Sequence, residues 1–199
     1  MMKKKYKLVE DDFILHEGRK LYRIEALRSI SESVFKGALG GYVEGYHNLS
    51  QEGTCWIFNI AKVYGNARVK DDAMVYGRAE VYGNAVVKNK SSVGDYAKVY
   101  GNAEVKGRGM VLGQLYGNAR IERMSELCGP SQVYGNAEIK DNARVEGYAE
   151  VFDNAKIEDT ALVCGNAKFY APKVYDNAIV KGSRVIRGGK VHDNSVAKE

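Results

Sequence analysis

The chain has 199 residues, 45% hydrophobic and 28% charged, with a formal net charge of +5. That balance excludes an intrinsically disordered chain, and no run approaches the roughly 18 apolar residues of a membrane-spanning helix. The mild positive charge, part of it in Lys3, Lys4 and Lys5, permits an anionic partner without requiring one, and the lack of an apolar leader predicts a soluble, cytoplasmic protein.

The first elements in chain order are short strands over 6–9, 13–15 and 21–24, with Glu17-Gly18-Arg19-Lys20 as a turn. Residues 1–58 are expected to form a β cap whose last part, from about Gly40, leads into a repetitive body over 59–199. A cap is needed because the terminal coil of a solenoid would leave strand edges unpaired and apolar core exposed.

From Val63 the chain repeats. VYGNA stands at 63–67, 81–85, 99–103 and 133–137, LYGNA at 115–119 and VFDNA at 151–155, so the period is 18 with one step of 16. Each period holds three hexads. An aliphatic residue recurs every six positions, as at Val63, Val69, Val75 and Val81, and a small residue follows four later, as at Ala67, Ala73 and Ala79. Simple strand alternation has a period of 2 and cannot carry that rule. Two inward positions per hexad, with Gly-Asn, Asp-Asn or Gly-Arg between them as a corner tolerant of positive φ, predict a triangular parallel β-helix. About seven coils fit between Val63 and Val180, a prism about 34 Å long at about 4.8 Å per coil. The 22 glycines against 2 prolines suit such a chain, which needs many turns and all its backbone donors. Shortened corners are expected between Val111 and Leu115, and near Lys173 and Arg184.

These hexads resemble the hexapeptide-repeat proteins, whose fold is an all-β, left-handed parallel β-helix. The handedness is implied by the resemblance alone, because general crossover rules favour the right hand. The segment GGYVEGYHNLSQEGTCWI at 40–57, followed by GNA repeats, is similar to the lead-in of the YdcK-like proteins, which are described as transferases by fold analogy. Similar YGNA-rich chains are carried by bacteriophages. The resemblance implies a homo-oligomer, commonly a trimer.

Outward positions sort into three faces. The first carries an aromatic column, Tyr64, Tyr82, Tyr100, Tyr116, Tyr134, Phe152 and Tyr170, which either stacks on itself or forms a platform for a planar ligand. The second carries Arg68, Lys70, Lys88, Glu104 and Lys106 in its early coils, a basic balance, with Arg108 at the adjoining corner. Its charges serve either solubility or a phosphate-bearing ligand. The third shows Met74, Tyr76, Met110, Leu112, Cys128, Leu162, Cys164 and Ile179, read as a contiguous apolar strip and hence a homo-oligomer interface.

Catalytic machinery is sparse. Acyltransferases of the resembled class bind coenzyme A and use a histidine as general base, a role that needs a group titrating near neutrality. The candidates are His16, His47 and His192, and no loop insertion between 63 and 180 walls an acceptor site. Cys55, Cys128 and Cys164 fit neither a disulfide framework nor a zinc spacing, so they read as small apolar residues. No metal and no cofactor are expected. Three readings follow: a non-enzymatic oligomeric protein binding a small anionic, nucleotide-type molecule, in a phage a host immune signal; a coenzyme A-dependent acyltransferase; or a structural, protein-binding scaffold. A nucleic-acid polymer or a membrane is not an expected partner. For the binding reading the candidate residues are Tyr64, Tyr82, Tyr100, Tyr116, Arg68, Lys88, Lys106 and Arg108.

Overall fold

The computed structural model describes residues 4–170, 173–183, 185–192 and 196–197. It is all-β, a parallel β-solenoid of about eight turns with roughly 18 residues per turn and an antiparallel sheet at its N-terminal end. Two-residue strands one coil apart pair in parallel, Lys62-Val63 with Glu80-Val81 and Arg68-Val69 with Val86-Val87, building three sheets that are the faces of the prism.

Both inward positions of the hexad are buried. The aliphatic residues from Val63 to Val163 are at most 1% exposed, and so are the alanines that follow them. Ser91, Ser125 and Ser131 replace alanine without leaving a polar atom unpaired, because each hydroxyl donates to a carbonyl of its own corner, Ser91 to Lys88 at 2.7 Å. Burying each branched side chain contributes about 1.5–3 kcal/mol, and all of it depends on the neighbouring coils.

Positive φ falls on the first corner residue, at Gly65 (64°), Asp71 (60°), Asn89 (60°) and their equivalents. The asparagine of each YGNA sits one position later and is absent from that set, so conformational tolerance is not its role.

The cap begins with β1 (Tyr6–His16) and β2 (Arg19–Ala26), an antiparallel hairpin. The two strands expected at 6–9 and 13–15 are one strand, interrupted by a register shift between Val9 and Phe13 that throws out Glu10, Asp11 and Asp12. Only Glu17 and Gly18 form the turn, both at positive φ, as the twist of a two-residue hairpin demands. β1 is the outer strand of its sheet, and an acidic bulge on such an edge discourages pairing with another chain. β3 (Leu39–Val43) pairs antiparallel with β2 and parallel with Lys62-Val63, and β4 (Trp56–Ile57) pairs parallel with Met74-Val75. The parallel winding thus starts inside the lead-in segment.

The coil after Val99 is shortened as expected, since Lys98 pairs with Gln114, 16 residues on. The steps then return to 18, as from Gln114 to Gln132, and fall to 17 near the C-terminal end, as in Lys156 with Lys173 and Lys173 with Lys190. The second loss lies at Gly188-Gly189, both at positive φ, rather than at Arg184, which is outside the described residues.

Candidate functional site

The corner that joins the first and second faces carries two ladders. Tyr64, Tyr82, Tyr100, Tyr116, Tyr134 and Phe152 stack face to face with ring centroids 4.8–5.1 Å apart and planes within 6°. Tyr170 breaks the series with an edge contact at 69°. Because each ring lies on the next, the faces that a planar ligand would need are covered by neighbours. Tyr64 is 2% exposed, its ring met edge-on by His16 of the hairpin. Burial, then the charges of Glu80 and Glu17, push its hydroxyl far above the usual tyrosine range, and burial with neighbouring tyrosines pushes Tyr116 up to about 12.

Beside the rings runs an asparagine ladder that sequence reasoning missed. Asn66 donates to Asn84, Asn84 to Asn102, Asn102 to Asn118 and Asn118 to Asn136, each at 3.0 Å, and Asn136 to Asn154 at 3.2 Å. Identical amides stacked at the coil spacing satisfy each other, which is the physical reason for asparagine there. The signal was visible: Asn keeps its place whether Gly or Asp precedes it.

On the second face most of the basic residues have partners. Lys88 pairs with Glu104, and Lys106 reaches Glu122 at 3.0 Å and Glu104 at 3.6 Å. Burial alone would raise the Glu104 carboxyl, but the Lys88 hydrogen bond and the Lys106 charge hold it below its usual value. Arg68 and Lys70 are exposed and make no ion pair among the described residues. Arg108 stands at the far corner of the face, away from the tyrosines.

Two clefts flank the first Asn corner. One, of about 370 Å³, is lined by His47, Asn66, Arg68, Asn84 and Val86. The other, of about 300 Å³, lies under the hairpin turn between Arg19 and Tyr82. In the first, Arg68 is a cation without an ion pair among the described residues, Val86 is an apolar wall and the Asn66 carbonyl oxygen ends the amide ladder. The structure therefore gathers Arg68 and the edge of the Tyr64–Tyr82 column round one corner, with Lys88 beside Val86. Lys106, Tyr100 and Tyr116 lie in later coils.

Each of the three histidines contacts a neighbour. The His16 Nε2, buried without a hydrogen-bond partner, lies 3.5 Å from Glu80, and its ring meets that of Tyr64. The Nε2 of His47 is 2.8 Å from the Gly65 carbonyl, and its Nδ1 turns toward Gly45. His192 stacks on Tyr175. Among the described residues no group of three His, Cys, Asp or Glu side chains could hold a metal, and no helix is long and apolar enough to cross a membrane.

The lead-in segment is built for packing. Asn48 is fully buried, its amide donating to the Gly65 and Ala67 carbonyls at 2.9 Å, and the Gln51 oxygen accepts from the Lys5 backbone N–H at 2.7 Å. Leu49, Cys55 and Ile57 fill the first coil, and Trp56, outward in the register of Met74, is buried against the Tyr6 ring.

The third face is not one strip. Its column runs Trp56, Met74, Ser92, Met110, then Glu126 and Arg144, then Leu162 and Ile179, and the Glu126–Arg144 ion pair at 3.0 Å splits it into two apolar patches. The apolar positions taken alone conceal these charged rungs. Tyr76 lies flat over Gly94, where a Cβ would come within 2.0 Å of the ring, so its bulk is folded back on the prism. Cys128 and Cys164 are half-buried free thiols raised by burial.

No protein-family model matches the chain, and no curated protein matches it significantly.

Proposed function

We propose that this chain is a non-enzymatic, oligomeric β-solenoid protein that binds a small anionic, nucleotide-type ligand at the first Asn corner. The observation that carries the reading is Arg68, an exposed guanidinium without an ion pair among the described residues, at the mouth of a cleft of about 370 Å³. A guanidinium matches two phosphate oxygens with its fork of donors, and Lys70, also without an ion pair among the described residues, adds charge on the same face. Val86 offers an apolar surface to a base, and the Asn66 oxygen accepts from an amino or hydroxyl group. The apolar patch of Met74, Tyr76 and Met110 suits a second copy of the chain, and the resembled class suggests a trimer. In a phage, such a protein would sequester a host signalling nucleotide. The engaged histidines weigh against acyl transfer with coenzyme A. A scaffold without a small ligand is the second reading, favoured by ladders that already satisfy themselves.

Native mass spectrometry of protein isolated from infected cells, followed by thermal shift across a nucleotide panel, tests the proposal. An oligomer with a co-purified nucleotide, and a ligand-induced shift lost in Arg68→Ala, is expected. A bare protein that no nucleotide stabilises overturns the binding reading in favour of the scaffold.

A further inference from the structure

The 16-residue coil leaves a vacancy in the corner that joins the third face to the first. From Val111 to Leu115 the chain takes four residues where other hexads take six, so two corner residues are missing. Gly113 stands in for the inward small residue, where a Cβ would lie 2.5 Å from the Ser131 carbonyl oxygen. The result is an open notch of about 400 Å³.

Its walls are the corner residues of the coils on either side, Tyr96 and Pro130, with Leu112 and Gln114 between them and Asp95 at the rim. The coils do not close over the gap. Ring spacing on the first face is 4.8 Å from Tyr100 to Tyr116 and again from Tyr116 to Tyr134. Tyr96 and Pro130 are therefore two such steps apart, which is the room one flat ring needs to stack at ladder distance on both. The Arg78 guanidinium, from the coil before, lies over the Tyr96 ring at 5.7 Å, and Tyr96 itself lines the notch.

The backbone has a matching vacancy. The second residue of this corner normally donates to the next coil, as Arg78 N–H does to the Asp95 carbonyl at 2.7 Å and Tyr148 to Gly165 at 2.8 Å. Tyr96 N–H has no rung beneath it and no backbone acceptor among the described residues. Asp95 is exposed and has no ion pair among the described residues. A stacking slot, a free N–H and a free carboxylate together select a ring, an acceptor oxygen and a cation.

We propose that the notch binds an aromatic residue with a free amine, supplied as an aromatic amino acid or as the N-terminal residue of a peptide. The ring fills the missing rung between Tyr96 and Pro130, the ligand carbonyl accepts from Tyr96 N–H, and the ammonium pairs with Asp95. This site is independent of the cleft at Arg68.

The test is an NMR titration of the full chain with phenylalaninamide, its N-acetylated form and leucinamide. Saturable shifts at Tyr96 and Gln114 are expected with phenylalaninamide, with affinity about tenfold weaker when the ammonium or the ring is removed. Asp95→Asn should erase the preference for the free amine, and Tyr96→Ala should abolish binding. Inserting Gly-Asn between Leu112 and Gly113 restores the period, fills the notch and should abolish binding while the protein stays folded. Phenylalanine and Phe-Gly-Gly distinguish the two sources by which binds more tightly. Absence of saturable shifts with every probe, or unchanged binding by the filled variant, overturns the proposal.

Discussion

In the coils, residues meet copies of themselves: Tyr100 lies between Tyr82 and Tyr116, and Asn102 between Asn84 and Asn118. In the cap, contacts are made once. The Tyr6 hydroxyl donates to the Leu49 carbonyl at 2.7 Å, the ring meets Trp56 edge-on at 6.3 Å, and the buried Lys5 ammonium reaches the carbonyls of Cys55 at 2.9 Å and Glu52 at 3.1 Å. Burial, the largest influence, lowers the Lys5 pKa, while the Cys55 sulfur 3.1 Å away acts in the opposite sense. Repetition distributes stability over neighbouring coils, whereas the cap concentrates it in a few contacts between residues some fifty positions apart, as Lys5 and Cys55 are.

The largest expected effect is in the coils. Val99→Asp places an unpaired charge in the prism at a cost of about 3–5 kcal/mol, and hydrogen exchange should show protection lost mainly in the adjoining coils. An unchanged melting temperature would mean that Val99 does not point inward. On the cap side, Lys5→Met keeps the bulk but leaves two carbonyls without their donor, a loss of about 1–3 kcal/mol by denaturant unfolding. Exchange should rise across 5–8 and 48–57 together and not in coils beyond Val99. Asn102→Ala removes one rung of a ladder and should cost about 1 kcal/mol, because the amides on either side can turn to water.

The smallest effects are those of pH. Carboxyls such as Glu138, lowered chiefly by its Lys140 hydrogen bond, stabilise the fold above the unfolded value of about 4.3, and that contribution is lost as pH falls through the depressed native value. The tyrosine ladder acts with the opposite sign. Its contribution is complete below the unfolded tyrosine value of about 10 and is lost as pH rises toward the Tyr116 value of about 12. A melting curve flat between these limits and declining outside both is expected, and a Tyr116→Phe variant should soften only the alkaline decline.

The inward positions were legible because Val, Ile or Leu at every sixth place, with Ala or Ser four later, fits the period of neither a plain strand nor a helix and leaves a triangular coil. The aromatic column was legible as a column. That its ring faces are mutually covered was not, because a series of outward residues carries no ring orientation. Asn66 and its successors suggest a φ-tolerant corner, a role that Gly65 and its equivalents fill instead. Tyr96 and Pro130 are hidden from a sequence reading because they become neighbours only across two absent residues. Lys5 and Cys55 are joined by the winding of the cap, for which no repeat exists to guide the eye.

The proposed binding of a nucleotide-type ligand at the Arg68 corner, not on the tyrosine ladder, is tested most directly by isothermal titration of the nucleotide identified from the panel. Wild-type chain, Arg68→Ala and Tyr116→Leu are compared. Arg68→Ala is expected to weaken binding by at least about tenfold, the scale of one charge-assisted hydrogen bond, while Tyr116→Leu binds like the wild type. Loss of binding in Tyr116→Leu with full affinity in Arg68→Ala would overturn that placement.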